Sequence, residues 1–149
     1  MRFTIGNDSS DGLDAIDGDT LLEFADEAAD HLETIEQDLL RYGRSLNGPT
    51  ALNPTLRCLH SLKGSAGYVS LVDLQELCHQ CEDILSRVVG RPSSEAQRRV
   101  DLVLDAIPAI RARLAEVRRC CNTGQRVPRA NAGSEKSLAD LKAAFGTAR

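Results

Sequence analysis

Four stretches of this chain place apolar residues at alternating intervals of three and four, and this spacing limits the fold to packed helices. The first stretch carries Leu21, Ala25, Ala28, Leu32, Ile35, Leu39 and Tyr42. Thr20 with Glu23 reads as its capping box and Gly43 as its stop. Asn47-Gly48-Pro49 makes a turn, and Asn53-Pro54 reads as the N-cap and first residue of a second helix. That helix buries Leu56, Leu59, Leu62 and Ala66 and closes around Gly67. Ser70 with Asp73 opens a third helix, whose stripe is Leu71, Leu74, Cys78, Cys81, Leu85 and Val88, thickened by Leu77 and Ile84. Gly90-Arg91-Pro92 ends it. Ser94 with Gln97 opens a fourth, carrying Val100, Val103, Ile107, Ile110, Leu114, Val117 and Cys121. Pro108 lies inside this last pattern and is expected to kink or split it, at about 3 kcal/mol without compensation.

Aromatic residues make up only 3% of the 149 residues and tryptophan is absent, so Leu, Ala, Val and Ile must fill the core. Four amphipathic helices with short links then predict an all-α fold, an antiparallel up-down-up-down four-helix bundle over residues 18–121. Residues 1–17 read as a flexible acidic lead-in. Residues 122–149 read as a Gly/Asn/Pro/Arg linker followed by a short amphipathic helix over Ser137–Phe145.

The net charge of −4 argues against a general nucleic-acid binder. Residues 1–40 hold twelve Asp and Glu against Arg2 alone, which reads as a solvated acidic helix face. No apolar run approaches the roughly 20 residues of a membrane span, and the N-terminus has no apolar signal core. The expected location is the cytoplasm. Five cysteines, an odd number, are expected to be free thiols there.

The segment from Leu59 to Gly67 is the chemically distinctive one. His60 has Lys63 three residues on, Gly64 four on and Gly67 seven on, all positions that share a helix face. His60 falls on the flank of its stripe, half out. On the third helix, Gln75, His79, Glu82 and Ser86 form a matching flank, and the short link makes the two helices neighbours.

These residues carry a family resemblance. The stretch Arg57–Leu85 resembles the histidine-phosphotransfer (HPt) family, and more narrowly the N-terminal phosphotransfer domain of CheA-type chemotaxis kinases. That family carries a His-Ser-x-Lys-Gly core on its second helix, here His60 to Gly64, and a His-x-x-Glu element on its third, here His79-Gln80-Cys81-Glu82. The spacing from His60 to Glu82 matches, and the run Glu27 to Leu40 is similar to the family's first helix. The resemblance covers roughly residues 18–121. It implies that His60 takes a phosphoryl group from a kinase catalytic domain or a phosphorylated receiver and passes it to an aspartate of a response-regulator receiver. It implies receiver docking around His60 on the first and second helices, with Ser61, Gly64 and Gly67 at the contact. It implies that His79 shares the hydrogen-bond network of the site. ATP and magnesium would come from the partners, with no cofactor or metal in this chain.

The chemistry supports the same roles. An imidazole that accepts phosphate must be neutral with one nitrogen free. A carboxylate on Nδ1–H fixes the tautomer and enriches Nε2. Glu82 is the candidate for that carboxylate, and Lys63 for the cation that offsets the phosphoryl charge. Gly64 costs about 1 kcal/mol relative to Ala inside a helix, which suggests close approach by another chain or by a neighbouring helix.

Rival readings are weaker. Cys78-His79-Gln80-Cys81 contains C-x-x-C, but both cysteines fall on the apolar stripe, where small buried hydrophobes are the simpler reading than a zinc or redox site. A helical adaptor that binds partners without phosphorylation predicts the same bundle but gives no reason for His60, Lys63 and Glu82 to coincide. No Gly-rich nucleotide loop, Walker-type motif or Asp-rich metal site is present, so an autonomous kinase is set aside.

Overall fold

The computed structural model describes residues 16–42, 52–88 and 93–146, and the backbone of 2–3 and 5–6. It is all-α. Five helices dominate: α1 (Gly18–Tyr42), α2 (Asn53–Tyr68), α3 (Val72–Ser86), α4 (Ser94–Thr123) and α5 (Ala132–Gly146). Four two-residue strands accompany them: β1 (Arg2–Phe3), β2 (Ile5–Gly6), β3 (Ile16–Asp17) and β4 (Val127–Pro128). β1 pairs antiparallel with β3, and β2 pairs parallel with β4. The expected stop at Gly43, the turn at 47–49 and the Gly90-Arg91-Pro92 break lie outside the described residues, as does most of the expected lead-in.

Each of α1 and α3 touches both α2 and α4, so these four helices close a ring around one core. The stripes predicted for α1 and α4 are buried in full, and those of α2 and α3 are buried apart from Leu56 and Val88, which are half-buried at the edge. Cys78, Cys81, Cys120 and Cys121 are buried and all five cysteines are free. Burial pushes the Cys81 thiol up to about 12, so it packs as a small hydrophobe and not as a thiolate.

Helix starts are displaced from their expected caps. At α1, Asp17 Oδ1 accepts from the Asp19 amide at 3.1 Å, so Thr20 belongs to the first turn and caps nothing. α2 is preceded by Leu52, which makes no side-chain cap bond, and Asn53 is its first helical residue, with Pro54 following. At α4, Ser93 is the cap, its hydroxyl accepting from Ala96 N at 3.0 Å. Gln97, the expected capping-box partner, turns instead to Asp101 at 2.9 Å.

Ser70 does not open α3. Its backbone is left-handed, with φ 62°. Ser70 N bonds Gly67 O at 3.1 Å and Leu71 N bonds Ala66 O at 2.9 Å. This is the closure that ends a helix through one left-handed residue, so Ser70 belongs to the exit of α2. Pro108 does not split α4, which runs unbroken from Ser94 to Thr123 with Pro108 on its exposed side, until Gly124 ends it at φ 71°.

α5 begins five residues before the expected Ser137, at Ala132. Asn131 Oδ1 accepts from Ser134 N at 2.7 Å, and Ser134 Oγ accepts from Asn131 N at 3.3 Å. The helix lies against α3 and α4, burying Leu141 and Phe145. A buried charge fastens its start. Arg113 on α4 is fully buried, with Nε 2.8 Å from Asp73 Oδ2 and Nη2 3.3 Å from Asp73 Oδ1. Its remaining donors reach Glu116 Oε1 and Pro128 O, each at 2.5 Å. Ser134 Oγ donates to Asp73 at 2.7 Å, and Asn131 Nδ2 to Glu116 at 3.1 Å. A buried guanidinium persists only when its donors are used in this way. At the other end, Arg87 and Arg99 stand over the Phe145 ring, 5.0 and 5.4 Å from its centroid.

Candidate functional site

His60 sits midway along α2 on the side that faces α3, and its side chain is 71% exposed. Its stripe neighbours Leu59 and Leu62 are buried, which holds the backbone while the imidazole stands out. Glu82 projects from α3 between His60 and Lys63. Its Oε1 lies 3.2 Å from His60 Nδ1, and Lys63 Nζ donates to its Oε2 at 2.6 Å. Lys63 and Glu82 are each 23% exposed, so this pair is better shielded than the histidine it serves.

Burial raises the Glu82 carboxyl, but the hydrogen bonds from Lys63 and His60, with their charges, outweigh it and hold the group below its usual value. Glu82 is therefore ionised at neutral pH and offers only acceptors. The proton between Glu82 and His60 must then sit on Nδ1. In a neutral ring that leaves the lone pair on Nε2, the nitrogen away from the protein. The arrangement can present a nucleophile to another molecule with a cation one helical turn away.

The other expected residues fall out differently. His79 is exposed and bonds to none of His60, Lys63 or Glu82, so the network has three members and not four. The two oxygens of Glu82 are taken by His60 and Lys63. Ser61 is exposed. Gly64 is exposed, and a methyl group built on it would meet nothing within 4 Å. Gly67 is different: a methyl there would overlap the Gln75 amide nitrogen and lie 3.0 Å from Gln75 Cδ. The bare backbone at Gly67 is occupied by this chain's own α3 side chain, so a landing surface for a partner is not needed to explain it.

The sequence did not single out the groove beside the site. A cavity of about 310 Å³ opens between α1 and α2, lined by Glu23, Phe24 and Glu27 from α1 and by Gly64, Ser65 and Tyr68 from α2. Tyr68 is 79% exposed. The available signal was its position off the Leu59–Leu62–Ala66 stripe, one residue after Gly67.

Comparisons with known proteins give the chain a family. The Hpt domain family model matches residues 19–120. Chemotaxis protein CheA of Treponema pallidum is 30% identical over 105 residues, covering 70% of this chain and 13% of that protein. The sensor histidine kinase CheAY of Helicobacter pylori is 29% identical over 96 residues, covering 64% of this chain and 12% of that protein. The chain thus spans about one-eighth of the length of these relatives. Among solved structures, the phosphorylated P1 domain of CheA3 in complex with CheY6 from R. sphaeroides superposes with a TM-score of 0.68 at 24% identity. That match covers 87% of this chain and 98% of the other. The chain belongs to the Hpt domain family.

Proposed function

We propose that His60 is the phosphoacceptor of a histidine phosphotransfer module in chemotaxis-type two-component signalling. The observation that carries this is the exposed His60 held at Nδ1 by an ionised Glu82 that Lys63 also binds. The Nε2 lone pair attacks the γ-phosphorus of ATP held on a kinase catalytic domain. The N–P bond forms as the bond to the bridging oxygen breaks, and ADP leaves. The ring gains positive character in this step, and Glu82 stabilises it through Nδ1–H. In the second step a carboxylate oxygen of a receiver aspartate attacks phosphorus, and the N–P electron pair returns to Nε2. Lys63 is placed to share itself between Glu82 and the phosphoryl oxygens.

The partners are a histidine-kinase catalytic domain and a CheY-like receiver, which supply ATP and magnesium. No nucleic acid is involved. A CheY protein accompanies the P1 domain of the similar structure, and one of the longer relatives is a sensor histidine kinase by name, which supports both partners. The receiver is placed on the α1/α2 surface beside Ser61 and Gly64. Residues 18–121 form the phosphotransfer bundle, preceded by the acidic segment 1–17 and followed by the connection and fifth helix of 122–149. We place the four helices antiparallel, up-down-up-down. The register supports this for α2 and α3: His60 meets Glu82, and Gly67, seven residues further along α2, meets Gln75, seven residues back along α3. Among the described residues no helix is long and apolar enough to cross a membrane, and the module is assigned to the cytoplasm.

The test is transfer. Incubation with ATP and a CheA-type catalytic core lacking its own phosphotransfer domain should give acid-labile, base-stable label, which an added receiver removes. His60→Gln should take no label while keeping its far-UV circular dichroism. Failure of every kinase or phospho-receiver donor to label the parent would return the chain to a helical adaptor.

A further inference from the structure

The acidic face of the first helix has no task in the chemistry of His60, and the α1/α2 groove gives it one. Among the described residues, Phe24, Tyr42 and Phe145 are buried, and Tyr68 is the one aromatic side chain that stands in solvent. It stands at the groove and not on some remote face. Phe24 forms the apolar floor, and Glu23 and Glu27, one helical turn apart, form the α1 rim. The lining residues include these two carboxylates and no cation. The nearest lysine of the site, Lys63, is held by Glu82. Gly64 lines the same groove and lies one turn after His60, so a molecule seated here reaches the histidine.

An exposed aromatic ring over an apolar floor is the composition of an interface centre, where tyrosine contributes disproportionately to binding. Charges at the rim act mainly on association rate and on the choice of partner. Phosphorylation of His60 would add negative charge beside Glu23 and Glu27, so a partner with an acidic perimeter is repelled when transfer is due. We propose that Tyr68, Glu23 and Glu27 select the receiver: the groove takes a receiver that offers an apolar side chain to Tyr68 and Phe24 and lysine or arginine to the two glutamates. This rests on the phosphotransfer reading and names the chemistry of its partner.

The experiment uses the full chain, phosphorylated on a CheA-type catalytic core, purified, and mixed with a CheY-type receiver domain over a range of receiver concentrations. Tyr68→Ala and the double variant Glu23→Lys/Glu27→Lys are compared with the parent after circular dichroism shows each is folded. Each variant should raise the KM for receiver by about tenfold, the loss of about 1.4 kcal/mol of binding, and change kcat much less. Added salt should slow transfer from the parent, and the double variant should lose most of that dependence. Equal KM values in all three proteins, or a fall in kcat with KM unchanged, would overturn the proposal. So would a variant that is labelled poorly by the catalytic core yet transfers normally, because the groove would then belong to the kinase. A parent that takes no label at all would instead overturn the phosphotransfer reading, and the proposal with it.

Discussion

In the proposed function, Glu82 decides the chemistry available to His60. With a carboxylate 3.2 Å from Nδ1 the ring has one tautomer, and without it the two nitrogens compete for the proton. Glu82→Gln keeps the shape and removes the charge, and should slow phosphorylation of His60 by about ten- to a hundredfold, by analogy with the loss of groups that support metal-bound histidines. The same change should alter stability by no more than about 1 kcal/mol, because His60 is largely exposed and the pair is partly solvated. The sign of the pH effect follows from the lowered pKa. The carboxylate contributes above its unfolded value, and the contribution is lost as pH falls through the lower folded value. The stability that Glu82 supplies should therefore fall in the parent on the acid side, and that part of the profile of stability against pH should be missing in Glu82→Gln. Identical profiles in both proteins would show that the Glu82 carboxylate is not held by Lys63 and His60. At this scale the sequence was largely sufficient. His60, Lys63 and Glu82 were legible because helical spacing on two adjacent helices puts them on facing flanks. That His79 makes no bond to the other three was not legible, since helical spacing puts it on the same flank as Glu82. Nor was the filling of Gly67 by Gln75, which depends on a side-chain conformation across the helix pair.

The elements were legible in their interiors and not at their ends. The buried stripes of α1 to α4 follow from three- and four-residue spacing, which one or two uncertain positions do not disturb. The caps depend on single residues, and adjacent Ser, Thr, Asp and Asn residues compete for the role. Ser93 and Ser94 are the clearest case. Both are capping types, and only the backbone conformation, φ −140° and ψ 168° at Ser93, assigns the cap. Ser93→Ala should cost about 1 kcal/mol, read as a lowered urea midpoint with unchanged slope. Ser94→Ala should leave the midpoint nearly where it was. The reverse order would mean that α4 starts one residue later. Ser70 eluded sequence reading for a related reason. A serine followed by an aspartate three residues on resembles a helix start, but the left-handed backbone places it at the end of the preceding helix. Asp73, freed from capping, faces Arg113.

Across the whole molecule, that pair joins parts of the chain that lie far apart in sequence. Arg113 gathers Asp73 of α3, Glu116 of α4 and the carbonyl of Pro128, and through Asp73 it reaches Ser134 of α5. An arginine within an apolar stripe offers no sequence signal for burial, because its partners are recognised only once the fold has brought them together. For the same reason α5 was expected to be shorter and joined by a plain linker. Arg113→Ala leaves the half-buried carboxylates of Asp73 and Glu116 without their cation and should cost about 3 kcal/mol in thermal or urea unfolding. Arg113→Met combined with Asp73→Leu, which removes the charges and keeps volume, should recover much of that loss. A cost below about 1 kcal/mol for Arg113→Ala would show that α5 is held by Leu141 and Phe145 alone. The bundle thus has two distinct polar features on α3: one facing α4 and α5 that holds the buried Arg113, and one facing α2 that holds the exposed His60, the proposed nucleophile. The measurement that bears most directly on the second is the position of the phosphorus. Protein carrying nitrogen-15 histidine, phosphorylated and observed by phosphorus and nitrogen NMR, should show one N–P bond, at Nε2 of His60. A bond at Nδ1 of His60, or at His31 or His79, would contradict the account.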